Sequence, residues 1–203
     1  MEKEVITTNE NKTLEKSQVE KGPIRALIRN YGFIVPVVLA VVILFNTLLT
    51  IGNIPSPSMY PTLDIGSGIF AVKVNKDKIY RGEIIMFHPN KEEGSPKELW
   101  IKRIIGLPGD TIELDRDCVY VNGELLDEPY INTEHRICYD TAVFEVPEGH
   151  IFVMGDNRND SFDSRYWENS YLPIEQLTSK PLFTFPISPH CDSGFKLLNN
   201  EAH

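Results

Sequence analysis

Between Arg29 and Asp64 the chain carries no charged residue, and this gap constrains the fold more than any other feature. Its apolar heart, Phe33 to Ile51, is 19 residues long, enough for a helix to cross a hydrocarbon layer roughly 30 Å thick. Lys21, Arg25 and Arg29 come just before it, and no Lys or Arg follows until Lys73. The bias of positive charge toward the cytoplasmic side then predicts a transmembrane helix over 31–52, with residues 1–30 as a cytoplasmic tail. Residues 53–190 become an extracytoplasmic domain, and 191–203 a loose polar C-terminal tail. A cleavable signal peptide is the competing reading; the long, mixed-charge leader and the length of the span speak for an anchor.

Net charge is −9, and residues 31–203 alone hold 14 basic against 24 acidic residues. Nucleic acid is thereby excluded as the expected partner, because phosphate binding needs clustered Lys and Arg. Cys118, Cys138 and Cys191 are an odd set for an extracytoplasmic domain, in which a Cys118–Cys138 bridge is one option. None has metal-ligand spacing with the five histidines, so no metal is expected.

After residue 53 the punctuation is that of a mainly β, antiparallel domain. Short apolar runs (Gly68–Val74, Glu83–Phe87, Leu99–Ile105 and His150–Met154) are bounded by Gly, Pro and Asn, as strands are. Within Cys118–Leu126, Asn122-Gly123 suits a type I′ hairpin turn.

Three segments could carry chemistry. Ser58 stands in Ile54-Pro-Ser-Pro-Ser-Met-Tyr-Pro-Thr-Leu63, where Pro55, Pro57 and Pro61 each fix φ and bias the residue before them toward extended backbone. A stiff segment just past an anchor can hold a nucleophile at a set height. In Leu99-Trp-Ile-Lys-Arg-Ile-Ile105 the two-residue period separates Ile101 from Lys102, and one of the neighbouring cations Lys102 and Arg103 faces inward. Burial favours the neutral amine, and lowering a lysine pKa by about two corresponds to roughly 2.7 kcal/mol. A neutral lysine can take a proton from a serine hydroxyl, the Ser-Lys form of nucleophilic catalysis. The third segment, Gly155-Asp-Asn-Arg-Asn-Asp-Ser-Phe-Asp-Ser-Arg165, reads as a polar turn. Asp156, Arg158, Asp163 and Arg165 could lock it by ion pairs, leaving Ser161 to orient the lysine.

Together these segments resemble the type I signal peptidases, membrane-bound Ser-Lys proteases that remove signal peptides from exported proteins. The matching stretches are Pro55–Leu63, Arg81–Phe87, Lys102–Asp110 and Gly155–Arg165, in the family's order. The resemblance implies that Ser58 is the nucleophile and Lys102 the general base. It implies an oxyanion hole made by the Ser58 N–H and the Ser56 side chain, orientation of Lys102 by Ser161, and support from Asp163 and Arg165. It also implies an extended signal peptide bound as an added strand, with Ile54, Ile69, Met86 and Ile101 lining pockets for small residues at −1 and −3. Exported preproteins and membrane lipid are the implied partners, the bacterial cell membrane the implied location, and no cofactor is required. The chain departs from the family's pattern at Glu83 (usually Asp), Asp160 (usually Asn) and Leu177-Thr-Ser-Lys180 (often a glycine before the lysine). The alternative is a non-catalytic relative assisting surface-polymer or pilus assembly, which should lack the serine or the lysine.

Overall fold

The computed structural model of this chain describes residues 27–89, 94–95, 97–116, 118–131, 139–187 and 194–198. The chain divides into two compact units, with the boundary between Thr47 and Leu48. Most of the expected cytoplasmic tail, together with Cys138 and Cys191, lies outside the described residues.

Among the described residues of the first unit the longest element is helix α1 (Ile34–Leu48, 15 residues), whose last residue begins the second unit. Pro36 falls in its first turn, where a missing N–H breaks no helical hydrogen bond. Apolar side chains are exposed along the helix, Val35 by 71% and Leu39 by 57%. Among the described residues no helix is long and apolar enough to cross a membrane. The expected helix over 31–52 is therefore corrected: its last residues form strand β1 (Leu49–Asn53). The apolar run continues through Leu49-Thr-Ile51, but the β-branched Thr50 and Ile51 also suit a strand. Their backbone groups are satisfied by antiparallel pairing with the strand that follows, Leu49 opposite Val72 and Asn53 opposite Gly68.

The second unit contains two antiparallel sheets. The larger joins β1 to β2 (Ser67–Lys73), β11 (Leu177–Pro186), β3 (Ile84–Phe87), β4 (Trp100–Gly106), β9 (His150–Met154) and β10 (Leu172–Pro173), in that order. A two-residue strand, β12 (Lys196–Leu197), adds to β11. This strand falls within the expected loose tail from 191 onward, of which 194–198 are described, and Leu198 just after it is buried. Pro181 lies within β11 where the register with β2 shifts, the irregular kind of position at which a sheet admits proline. The smaller sheet runs β7 (Glu124–Leu125), β6 (Cys118–Val121), β5 (Thr111–Arg116) and β8 (Tyr139–Glu145). At its hairpin Asn122 and Gly123 both have positive φ, 55° and 80°, as the type I′ turn requires.

Successive residues of the central strands serve different cores. Ile84 and Met86 of β3 join Ile54, Met59, Leu63 and Ile69 in one cluster, whereas Ile85 and Phe87 join Ile104, Val153 and Trp167 in another. Ile105, Phe152 and Met154 meet the inner face of the smaller sheet, Ile112, Leu114, Val119 and Val121. The large sheet is thus covered on both faces near β3, β4 and β9, which makes β4 a rigid, desolvated mount for polar side chains.

Candidate active site

Burial fixes the Ser58 segment at both ends. Ile54, Met59 and Leu63 are 1–3% exposed in the same cluster, each contributing about 1.5–3 kcal/mol by leaving water. Between these anchors the backbone turns, Tyr60 N–H to the Pro57 carbonyl at 2.9 Å and Leu63 N–H to the Met59 carbonyl at 2.9 Å. Residues 56–57 are a bend and 58–62 a turn, so the segment is not simply extended as its prolines suggested.

Lys102 is on β4 opposite Ile85. Its Nζ lies 2.9 Å from Ser58 Oγ in a buried contact between residues 44 apart in sequence. Burial pushes the Lys102 amine down from 10.5 to about 8; Asp163 and Asp156 pull it up, and Arg165 adds to the lowering. Ser56 Oγ is 3.2 Å from Ser58 Oγ. Such a pair can exchange a proton: the amine accepts when neutral and donates when charged.

Where one inward cation was expected, the structure buries two, Lys102 at 5% and Arg103 at 6% exposure. Alternation along β4 sends them to opposite faces, Lys102 to Ser58 and Arg103 to Asp156. Arg103 donates from Nε and Nη2 to the two Asp156 carboxylate oxygens at 2.8 and 2.7 Å, and its guanidinium also lies 3.8 Å over the Tyr130 ring. Thr62 Oγ1 donates to Asp156 Oδ2 at 2.5 Å. One carboxylate therefore ties the nucleophile's segment, the lysine's strand and the Gly155–Arg165 loop together.

Within that loop Arg165 grips Asp163, Nε to Oδ1 at 2.8 Å and Nη2 to Oδ2 at 2.9 Å. Arg158 pairs outside the loop, with Glu128, and donates from Nε to the Gly155 carbonyl at 3.1 Å. Tyr130 donates to Glu128 at 2.9 Å, and burial beside that carboxylate pushes its phenol well above the ordinary range. Of the four residues expected to lock the loop by ion pairs, only Asp163 and Arg165 pair with each other.

Ser161, expected to orient Lys102, donates to Asp163 Oδ2 at 2.7 Å. The Gly155 N–H donates to the same Asp163 oxygen at 2.9 Å. A Cβ on Gly155 would lie 2.3 Å from Ser161 Oγ and 2.4 Å from the Ser58 carbonyl oxygen. Sequence reasoning missed Gly155 as a site residue, and also Asn157, whose N–H donates to the Ser58 carbonyl at 3.0 Å.

A cavity of about 380 Å³ opens at Ser58 and Lys102, with Ile54, Leu99, Ile101 and Phe162 among its walls. A second, of about 300 Å³, includes Asn53, Met86, Glu98 and Ile101; both share Pro55, Leu99, Trp100 and Ile101. Ile69, expected at a pocket, lines neither and is fully buried in the core beneath. The edge beside these cavities is open. Pairing with β9 covers β4 only from Arg103 onward, so among the described residues no strand adds to Trp100–Lys102 on that side. Of the sequence departures, Glu83 is buried and pairs with Lys180, the lysine of the departing Leu177–Lys180 stretch. Among the described residues no three His, Cys, Asp or Glu side chains gather as metal ligands.

An antiparallel β unit with a buried lysine against a serine, at the head of an apolar cleft, defines a class of site able to activate a hydroxyl without a histidine. The particular family follows from comparison: a model described as "Signal peptidase, peptidase S26" matches residues 27–185, and the chain belongs to that family. It is 40% identical over 137 residues to a probable signal peptidase I-2 of Synechocystis, covering 65% of this chain and 61% of that protein. It is 39% identical over 142 residues to a signal peptidase I of Bacillus caldolyticus, covering 63% and 74%. A solved signal peptidase I from Enterococcus faecalis is 30% identical and covers 51% of this chain and 96% of its own, at a TM-score of 0.43. The match to the Synechocystis protein spans less than two thirds of that relative's length.

Proposed function

We propose that this protein is a signal peptidase I, an endopeptidase that removes N-terminal signal peptides from exported preproteins. The observation that carries the reading is the 2.9 Å approach of Lys102 Nζ to Ser58 Oγ in a buried setting that favours the neutral amine. In this reading neutral Lys102 takes the Ser58 proton as Oγ attacks the scissile carbonyl carbon. The oxyanion faces the Ser58 N–H and the Ser56 hydroxyl. Lysinium then gives its proton to the departing amine, and the acyl-enzyme is released when Lys102 activates a water for the second attack.

The substrate lies extended along the open edge of Trp100–Lys102. Alternate side chains of an extended chain point the same way roughly 6.6 Å apart, which suits two adjoining cavities taking the −1 and −3 residues. Ile54 and Ile101 wall the first cavity, and Met86 belongs to the second. Asp163 and Arg165 act as positioning residues, and Ser161 acts on Lys102 through Asp163. The non-catalytic alternative has no support in a site that keeps both serine and lysine in contact.

Attachment to the bacterial cell membrane is proposed through the exposed apolar side chains of α1. Lys21, Arg25 and Arg29 would then lie on the cytoplasmic side and the β unit outside. The test is cleavage of a preprotein ending its signal in Ala-X-Ala by wild type, Ser58→Ala and Lys102→Ala. Cut product from wild type alone supports the reading; equal product from either variant refutes it.

A further inference from the structure

Two charged groups line the cleft without a part in the reaction just described. Asp160 lines the cavity that holds Ser58 and Lys102, and Glu98 lines the adjoining one. Both are exposed; the Asp160 backbone is fixed in a turn by its N–H donating to the Asn157 carbonyl at 3.0 Å, and the Glu98 carboxylate accepts from Trp100 Nε1 at 3.1 Å. Among the described residues, Lys102 is the only Lys, Arg or His lining either cavity. In its reactive form Lys102 is neutral, so the peptide enters a cleft with two carboxylates and no balancing cation. The other walls are aliphatic, aromatic, prolyl or seryl, apart from Gly52 and Asn53.

We infer that Asp160 and Glu98 are specificity-determining residues that make the cleft disfavour acidic side chains, and favour basic ones, in the substrate residues flanking the cleaved bond. The inference rests on the peptidase reading and names a substrate property that reading leaves open. A like charge about 6 Å away in a half-solvated cleft weakens binding about three- to tenfold, and an opposite charge strengthens it by a similar factor. Because the two carboxylates line different cavities, they act on different substrate positions, about two residues apart along an extended chain. The effect is electrostatic across water, so it fades as the screening length falls from about 8 Å at 0.15 M salt to about 3 Å at 1 M.

The test uses the full chain in detergent micelles and Ala-X-Ala peptides carrying Lys or Glu singly at each position from −5 to +3, apart from the two alanines. The Lys-to-Glu ratio of kcat/KM is taken within each variant, so that any change in basal rate cancels. In wild type at low salt the ratio reaches at least threefold at one position near the cleaved bond and at a second position about two residues away. Asp160→Asn abolishes the first and Glu98→Gln the second, and 1 M salt reduces both. Ratios that are the same in wild type and both variants at every position overturn the inference. Failure of wild type to cut any peptide refutes the peptidase reading instead. In that event the same ratios, read as affinities of fluorescent peptides for Ser58→Ala, still decide the charge preference.

Discussion

The two sheets of the β unit solve opposite problems. The small sheet alternates: in β5, Ile112 and Leu114 are buried between half-exposed or exposed neighbours, and in β6 Val119 and Val121 do the same. Its buried face is wholly apolar. The large sheet and its loops instead bury Lys102, Arg103, Asp156, Arg158 and Asp163. Buried charges of this kind add little stability even when paired, yet removing one partner is costly. The small sheet's inner face supplies cohesion, whereas the site side spends part of that cohesion on holding an amine where its proton is loosely kept.

The largest separation between the two regions comes from Lys102→Met. It should reduce kcat at least about a thousandfold, as loss of a general base does, while making the protein more stable at neutral pH. Lys102 titrates near 10.5 in the unfolded chain and at about 8 in the folded one, a difference worth about 3 kcal/mol. The folded pKa is depressed, so below pH 8 the buried cation carries its full cost. Between pH 8 and 10.5 the unfolded chain binds a proton that the folded one has released, and stability rises with pH. The stability advantage of the methionine variant over wild type, read by denaturant melts, should therefore be greatest below pH 8 and shrink toward pH 10.5.

Ile112→Ala in the small sheet should do the reverse. Loss of a fully buried isoleucine costs about 2–5 kcal/mol in denaturant melts, with kcat of the folded fraction unchanged. Gly155→Ala sharpens the contrast from the site side. Its Cβ meets the Ser58 carbonyl and Ser161 Oγ at under 3 Å, and the displacement should cost about a hundredfold in kcat with little change in KM. The smallest effect is expected from Glu128→Gln, which removes the charge paired with fully buried Arg158. A loss of about 1–3 kcal/mol in stability, with a modest fall in kcat, would mark this pair as a brace of the loop.

The strands that sequence made legible are those closed by strong turn residues: β2, β3, β4, β9 and the Asn122-Gly123 hairpin. β1 was hidden because Leu49-Thr-Ile51 prolongs the apolar run of α1, and composition does not tell a helix end from a strand paired to residues 15 or more positions later. β11 was hidden by Lys180-Pro181 at its centre, and β12 by its polar surroundings. In the site, Ser58 and Lys102 could be singled out from the proline-stiffened segment and the strand lysine. The partners of the charged loop could not: Arg103 with Asp156 and Arg158 with Glu128 join residues 53 and 30 apart. Periodicity says nothing about which distant carboxylate a buried guanidinium will meet.

The central claim is that Lys102 holds its proton loosely enough to serve as a base, and titrating that amine tests it most directly. In protein labelled with 13C at the lysine ε-carbon, the Lys102 signal, assigned by its absence from Lys102→Met, should titrate with a midpoint at about pH 8, and kcat/KM should rise through the same pH. A midpoint near 10.4, the value of an ordinary solvated lysine, would contradict it.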